Sequence, residues 1–368
     1  MRLPPVNPAA TKLDRELKHT SPLVGCRFDP TGRFVFASAQ DNTIQRFDVL
    51  TGVKTALVGH ASWVRGLAFV FGGVEYRARR DIDRAVRRNA LRAVTGSAAV
   101  LPDIPTPPPF TLVSADYHGK LIWWQGDAAT LTPLRTVEAH DGWARAVAVS
   151  PDGRLVASCG NDNLVRLWSA ATGEPVRTLE GHTSHVYNVA FHPGGTRVAS
   201  ADLKGVVKDW DLSTGTCTRE LDAKVLHKYD TGFLADIGGA RAMAFNHDGS
   251  RLACAGITNV SNAFAGVGNP AVVLFDWADG KAKLLKPKDA YQGTAWGVVF
   301  APSDYVVAAG GGSGGRVWFW KGDDPTSAHT ITVAAHARDL ALDRYGWRFA
   351  VACANGSVLV YSLVPGTK

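Results

Sequence analysis

Imidazole, hydroxyl, carboxylate and indole follow one another in a fixed order within residues 139–182. His140 precedes a β-patterned run, Ser158 lies in the second run, Asp162 in the turn after it, and Trp168 in the third. Each side chain supplies a donor or acceptor that its neighbour lacks, so the four can join in one hydrogen-bonded chain. We read this chain as a structural brace. His19, His60, His140, His182 and His336 all fall at one repeat position, which suits a role repeated for stability better than a single reaction centre. No HExxH or P-loop occurs in the sequence, and the G-x-S-x-G pattern at Gly311 to Gly315 is not read as a nucleophile elbow, since it joins two strands. Gly310 to Gly315 matches a phosphate-cradling loop in composition only, because it joins two strands rather than a strand and a helix.

A second set offers recognition chemistry. At one register of the first β-patterned runs stand Val24, Arg65, Arg145, Tyr187, Arg241, Trp296 and Arg338; two positions earlier stand Pro22, Trp63, Trp143, His185, Gly239, Thr294 and His336. Residues two apart on a strand point to the same side. A guanidinium presents a planar fork to carboxylate or phosphate, and the neighbouring rings supply stacking area.

The elements that must position both sets are short strands. Residues 139–182 hold four such runs, Trp143 to Ser150, Leu155 to Cys159, Leu164 to Ser169 and Pro175 to Leu179. The turns between them carry Pro151-Asp152-Gly153, Gly160 to Asn163 and Thr172-Gly173. One such sheet is too small to bury both of its faces, so it must stack on copies of itself. Aligning the ends of the first strands gives Phe28, Phe69, Val149, Phe191, Phe245, Phe300 and Leu342, at intervals of 41, 80, 42, 54, 55 and 42. The third strands independently give Phe47, Trp124, Trp168, Trp210, Phe275, Trp320 and Tyr361, an aromatic ring at each place. Both columns predict an all-β, seven-bladed propeller of four-stranded antiparallel blades.

The unit at 139–182, with its His140, Ser158, Asp162 and Trp168 set, resembles the WD-repeat family of β-propellers. The resemblance runs along nearly the whole chain. It implies a bracing tetrad within the blade, and a channel surface of the kind on which such proteins commonly hold peptides. In a propeller the first strands are innermost, so the arginines and rings of the second set gather at the channel mouth on the face of the histidines. The tetrad decays unevenly. Only the 139–182 unit shows the full set in register, His19, Ser38, Asp41 and Phe47 come close, and copies two and four keep Ser114 and Ser200 but have His118 and Lys204 at the aspartate position, with Asp116 and Asp202 two residues earlier. Cys254 and Cys353 replace the serine in copies five and seven. Bracing is therefore expected on one side of the ring, with packing alone on the other.

The last copy has only three strands. Lys12 to His19, KLDRELKH, matches the outer strand and histidine of other copies, such as PVRTLEGH at 175–182. It is predicted to complete the last blade and close the ring, removing the open edges. The longest insertion, residues 71–109, is expected to hold an amphipathic basic helix followed by a proline-rich return. Seven arginines between Val74 and Val94, against Glu75, Asp81 and Asp83, give that segment +4 of the whole chain's +7. Arg80, Arg84, Arg87 and Arg88 form a second candidate surface. Asp222 to Gly238 and Ile257 to Pro270 are further insertions, expected on the histidine face.

Five widely spaced cysteines argue for reduced, mainly buried thiols rather than a disulfide framework or zinc site. No run of 18 apolar residues and no signal-peptide core occurs, which predicts a cytoplasmic protein. The functional expectation is a non-catalytic scaffold, without metal or cofactor, that binds an acidic protein or peptide as a monomer or within a larger complex. Nucleic acid is disfavoured, because the basic insertion lacks interleaved aromatic rings. Two alternatives stand beside this expectation: a hydrolase or lyase using the channel, and an anionic surface or nucleic acid held by the basic insertion.

Overall fold

The computed structural model describes residues 6–71, 110–127, 131–262, 267–312 and 314–363. Seven four-stranded antiparallel sheets follow one another in chain order. Blade three shows the pattern: Ala144–Val149 lies innermost, then Leu155–Gly160, Val165–Ser169 and Pro175–Leu179 outward. Its two middle strands are buried and its outer strand is largely exposed, so the apolar runs and the alternating run in the sequence correspond to depth in the sheet.

Each blade buries its faces against its neighbours. Seven hydrophobic clusters are found among the described residues, one in each space between adjacent blades. Trp123 of blade two and Val156 of blade three share one; Ala201 of blade four and Phe275 of blade five share another. The seven third-strand rings, Phe47 through Tyr361, are all buried. Burying a large apolar side chain stabilises by about 1.5–3 kcal/mol, so the aromatic column is a repeated packing requirement of the ring.

The ring closes through its N-terminal strand. Lys12–Lys18 pairs antiparallel with Ser357–Ser362, placing Leu17 opposite Val358. The His19 amide donates to the Gly356 carbonyl at 2.9 Å. Leu17, the one buried residue of that strand, enters the cluster between blades seven and one.

The predicted helical insertion lies outside the described residues, apart from Phe71, which ends the first strand of blade two. Among the described residues there is no α-helix, only the 3-10 turns Pro8–Ala10 and Lys224–Leu226. The two insertions around blade five pack together. His227–Asp230 and Ala235–Gly238 form a separate hairpin, and the second and third strands of blade five lengthen to Arg251–Asn262 and Val267–Asp276. Lys228 Nζ donates to the Val260 carbonyl at 2.6 Å, tying the hairpin to this extension. The five cysteines are free thiols, four of them buried, and burial pushes Cys254 and Cys353 up to about 12.

Candidate functional site at the channel mouth

The tetrads show first what is structural. In blade three Trp168 Nε1 donates to Ser158 Oγ at 2.8 Å, Ser158 Oγ lies 2.7 Å from His140 Nε2, and His140 Nδ1 lies 2.9 Å from Asp162. A consistent chain requires the proton on Nδ1, with the serine donating to Nε2. Burial holds His140 below the ordinary imidazole range despite the carboxylate beside it. Burial also works against the Asp162 charge, but hydrogen bonds from His140 and Arg166 outweigh it and hold this carboxyl well below its usual range.

Two further blades carry complete chains, which corrects the expectation of one. In blade two Trp124, Ser114, His60 and Asp116 connect at 2.8, 2.6 and 2.7 Å. In blade four Trp210, Ser200, His182 and Asp202 connect at 2.7, 2.7 and 3.0 Å. Here the aspartate ends the second strand, two residues before the place it takes in blade three. Both positions reach the same imidazole. In blade three the strand-end position is Gly160, where a Cβ would sit 2.8 Å from the His140 ring; the turn carboxylate and the missing side chain go together. Blade one fails differently. His19 meets Asp41 through Nε2 at 2.7 Å, and Ser38 Oγ is buried without a partner among the described residues, Phe47 offering no indole donor.

The channel residues owe their placement to a bulge repeated from blade to blade. The pairing of first with second strand skips Val24, Arg65, Arg145, Tyr187, Trp296 and Arg338 in turn. Arg241 immediately precedes the first strand of blade five, its amide donating to the Ala255 carbonyl at 2.7 Å. A bulged residue leaves the ladder and its side chain is re-aimed. Five of these seven, Arg65, Arg145, Tyr187, Arg241 and Trp296, line a cavity of about 110 Å³.

Two groups of cations share that cavity and differ in their partners. Asp339, 3% exposed, accepts from Arg27 Nη1 at 2.7 Å and from the Cys26 amide at 3.1 Å, with Arg65 Nη1 at 3.7 Å. Arg65 also reaches the carbonyls of Val24, Trp296 and Arg241 at 3.4, 3.4 and 3.5 Å. It therefore spans from blade two to blades one, five and six as a strut. Gly25 leaves room for this cluster, since a Cβ there would lie 3.2 Å from Asp339 and 3.5 Å from Arg65. The second group is Arg145 and Arg241, which have no carboxylate partner among the described residues. Arg145 packs its guanidinium 4.3 Å from the Trp143 ring and 4.4 Å from the Tyr187 ring, and its Nε donates to Asn161 at 2.8 Å. Arg241 lies 5.0 Å from Tyr187 and 5.2 Å from Trp296, its Nε buried and without a hydrogen-bond partner among the described residues. Burial pushes the Arg241 guanidinium down, and the Arg145 charge adds to that push.

At the rim, Trp63 and Trp143 are each 41% exposed. Tyr117 lies between them, stacked on Trp143 at 4.1 Å and 6.3 Å from Trp63. The sequence reading missed Tyr117 because it belongs to the turn after the second strand of blade two, outside the aligned register. His185 is half-buried, and burial together with the Arg145 charge lowers its pKa. Arg338 does not line the cavity; the next residue, Asp339, does, so blade seven contributes a carboxylate where a cation was expected. Gly310 to Gly312 ends the second strand of blade six and Gly315 begins the third, so the glycine run is a blade turn. Arg80, Arg84, Arg87 and Arg88 lie outside the described residues.

The model of the WD domain, G-beta repeat, matches residues 11–48, 131–169 and 173–211. Each match spans an outer strand and the first three strands of the next blade: the closing strand with most of blade one, the outer strand of blade two with most of blade three, and the outer strand of blade three with most of blade four. In these stretches the chain carries repeats similar to those of the WD-repeat family. Nuclear distribution protein PAC1 of Coccidioides posadasii is 27% identical over 166 residues, 38% of this chain and 35% of that protein. Small ribosomal subunit protein RACK1y of Oryza sativa subsp. japonica is 40% identical over 75 residues, covering 20% of this chain and 21% of its own. DDB1- and CUL4-associated factor 13 of Dictyostelium discoideum is 33% identical over 57 residues, 16% of this chain and 12% of that one. This chain thus spans about a third or less of the length of the curated relatives it matches.

Proposed function

We propose that this protein is a non-catalytic interaction scaffold that holds an acidic segment of a protein partner at the channel mouth. The observation that carries the reading is the pair Arg145 and Arg241, two guanidiniums without a carboxylate partner among the described residues, beside the half-exposed rings Trp63, Tyr117 and Trp143. An anion entering there gains fork-shaped donors in a site walled by rings, where charge is less screened than in water. Arginine and tryptophan are also the residues most enriched where binding energy concentrates. The mechanism is rigid display: the ring fixes the rim residues of several blades, so little ordering is required on binding. The names of the relatives, a ribosomal subunit protein and a factor associated with two other proteins, accord with a role in assemblies. The free, mostly buried thiols accord with a cytoplasmic setting.

Degenerate peptide pools rich in aspartate and glutamate test the reading by fluorescence anisotropy. Wild type is expected to bind them, with affinity falling at least about tenfold, or 1.4 kcal/mol, in the Arg145→Ala, Arg241→Ala double variant and several-fold in Trp143→Ala. Binding that survives both changes unchanged would place the partner surface elsewhere.

A further inference from the structure

The two cation groups in the channel bear on which anion fits. Arg27 and Arg65 already spend donors on Asp339 and on backbone carbonyls. The outer end of the Arg145 fork has no acceptor among the described residues, and the Arg241 guanidinium packs on the Tyr187 and Trp296 rings, its buried Nε lacking a hydrogen-bond partner among the described residues. Tyr187 lies under both guanidiniums. The unspent capacity is therefore two positive charges and two forks converging on one ring, with a phenol between them. A carboxylate carries one negative charge and would leave one of the two guanidiniums uncompensated. A phosphate monoester carries about −1.5 to −2 at neutral pH and has three acceptor oxygens, enough to meet both forks. The cavity volume, about 110 Å³, suits a head group of that size rather than a drug-sized molecule, which needs roughly 300 Å³ or more.

We infer that Arg145, Arg241 and Tyr187 form a subsite for a phosphate monoester dianion, presented as a phosphorylated side chain of a partner or as free phosphate. This rests on the channel mouth being the binding surface, and it names the group that anchors there. Arginine forks pair with phosphate through parallel hydrogen bonds, and the anion also relieves the repulsion between two cations held against one ring.

The test uses the whole chain and four probes: inorganic phosphate, acetate, and degenerate peptide pools with a fixed central phosphoserine or a fixed central glutamate. Inorganic phosphate is expected to raise the melting temperature saturably at millimolar concentration, with acetate giving no comparable shift. The phosphoserine pool is expected to bind at least tenfold more tightly than the glutamate pool. Both effects should vanish in Arg145→Gln, Arg241→Gln and persist in Arg154→Gln, which removes an exposed charge on a distant turn. Should the double variant not fold, Arg145→Lys and Arg241→Lys keep the charge, lose the fork, and are each expected to weaken phosphate several-fold. A phosphate shift without preference between the pools would assign the subsite to free phosphate. No phosphate shift beyond that of acetate, or a shift retained without the two arginines, overturns the inference. Equal, arginine-dependent binding of the two pools with no phosphate shift removes the dianion and leaves the acidic-partner scaffold standing; loss of both pools removes that reading too.

Discussion

Blades two, three and four each contain an unbroken chain from tryptophan to aspartate, whereas among the described residues blades five, six and seven contain none, yet both arcs complete the same ring. In the first arc a polar network crosses each blade and fixes the turn before its first strand to the turn or strand end after its second. In the second arc Cys254 and Cys353 stand where the serine would be, and stability comes from apolar clusters and longer strands such as Gly293–Ala301 and Arg251–Asn262. Stacking is common to all the interfaces and is what the propeller requires. The tetrad adds rigidity within a blade. Blade one stands between the arcs, with the histidine–aspartate pair kept and the serine stranded.

The comparison can be broken most severely at its seam. Deleting residues 1–20 removes the strand opposite Ser357–Ser362 and the buried Leu17. The expected result is a fall in melting temperature on the order of 10 °C or more, with aggregation through the exposed edge. An unchanged melting curve would mean that the strand does not hold the ring closed. Next in size, Ser114→Ala, Ser158→Ala or Ser200→Ala each leaves an indole donor and an imidazole acceptor buried and unpaired. Each should cost about 2–4 kcal/mol in chemical denaturation. Ser38→Ala, at the same place in blade one, should cost within about 0.5 kcal/mol, since its hydroxyl has no partner to lose. Equal costs at the four sites would erase the distinction between the complete chains of blades two to four and the broken one of blade one.

A gentler measurement is native-state hydrogen exchange. Amides in the second strands of blades two to four are expected to open less often than those of blades five and seven, about tenfold at equal sequence depth for a difference near 1.4 kcal/mol. Uniform protection would show that packing alone sets local stability. The smallest effect is that of pH. His140 has its pKa lowered from 6.5, so between that value and its folded pKa the unfolded chain binds a proton that the folded chain does not. Stability from this group is present above pH 6.5 and is lost as pH falls. The lowered Asp162 carboxyl acts in the same sense only below pH 3.8. His140→Gln should flatten the decline of melting temperature from pH 7 to pH 5, and an unaltered slope would assign the decline to other groups.

The ring, its blade count and its closure were legible because they rest on periodic apolar residues, which recur at each blade however the turns vary. The first-strand column ending in Leu342 and the third-strand aromatics both survived insertion. The tetrads of blades two and four were not legible by position. Asp116 and Asp202 lie two residues from the expected place, and a hydrogen bond specifies a point in space rather than a place in the chain. At the channel, the register that collected Arg65, Arg145, Tyr187, Arg241 and Trp296 was the bulge position, visible as a column but not as a departure from pairing. In blade seven the residue after the bulge, Asp339, lines the cavity and the bulged Arg338 does not, and no periodicity shows that Arg65 is tied up by three carbonyls from other blades.

Arg65 has a mechanical consequence. Because it reaches from blade two to blades one, five and six, it acts like a spoke fixed across a hub. A segment arriving from the histidine face would meet this bar rather than pass through the ring. The channel is then barred at the level of Arg65. On the proposed reading, shortening Arg65 would open the passage while leaving Arg145 and Arg241 in place.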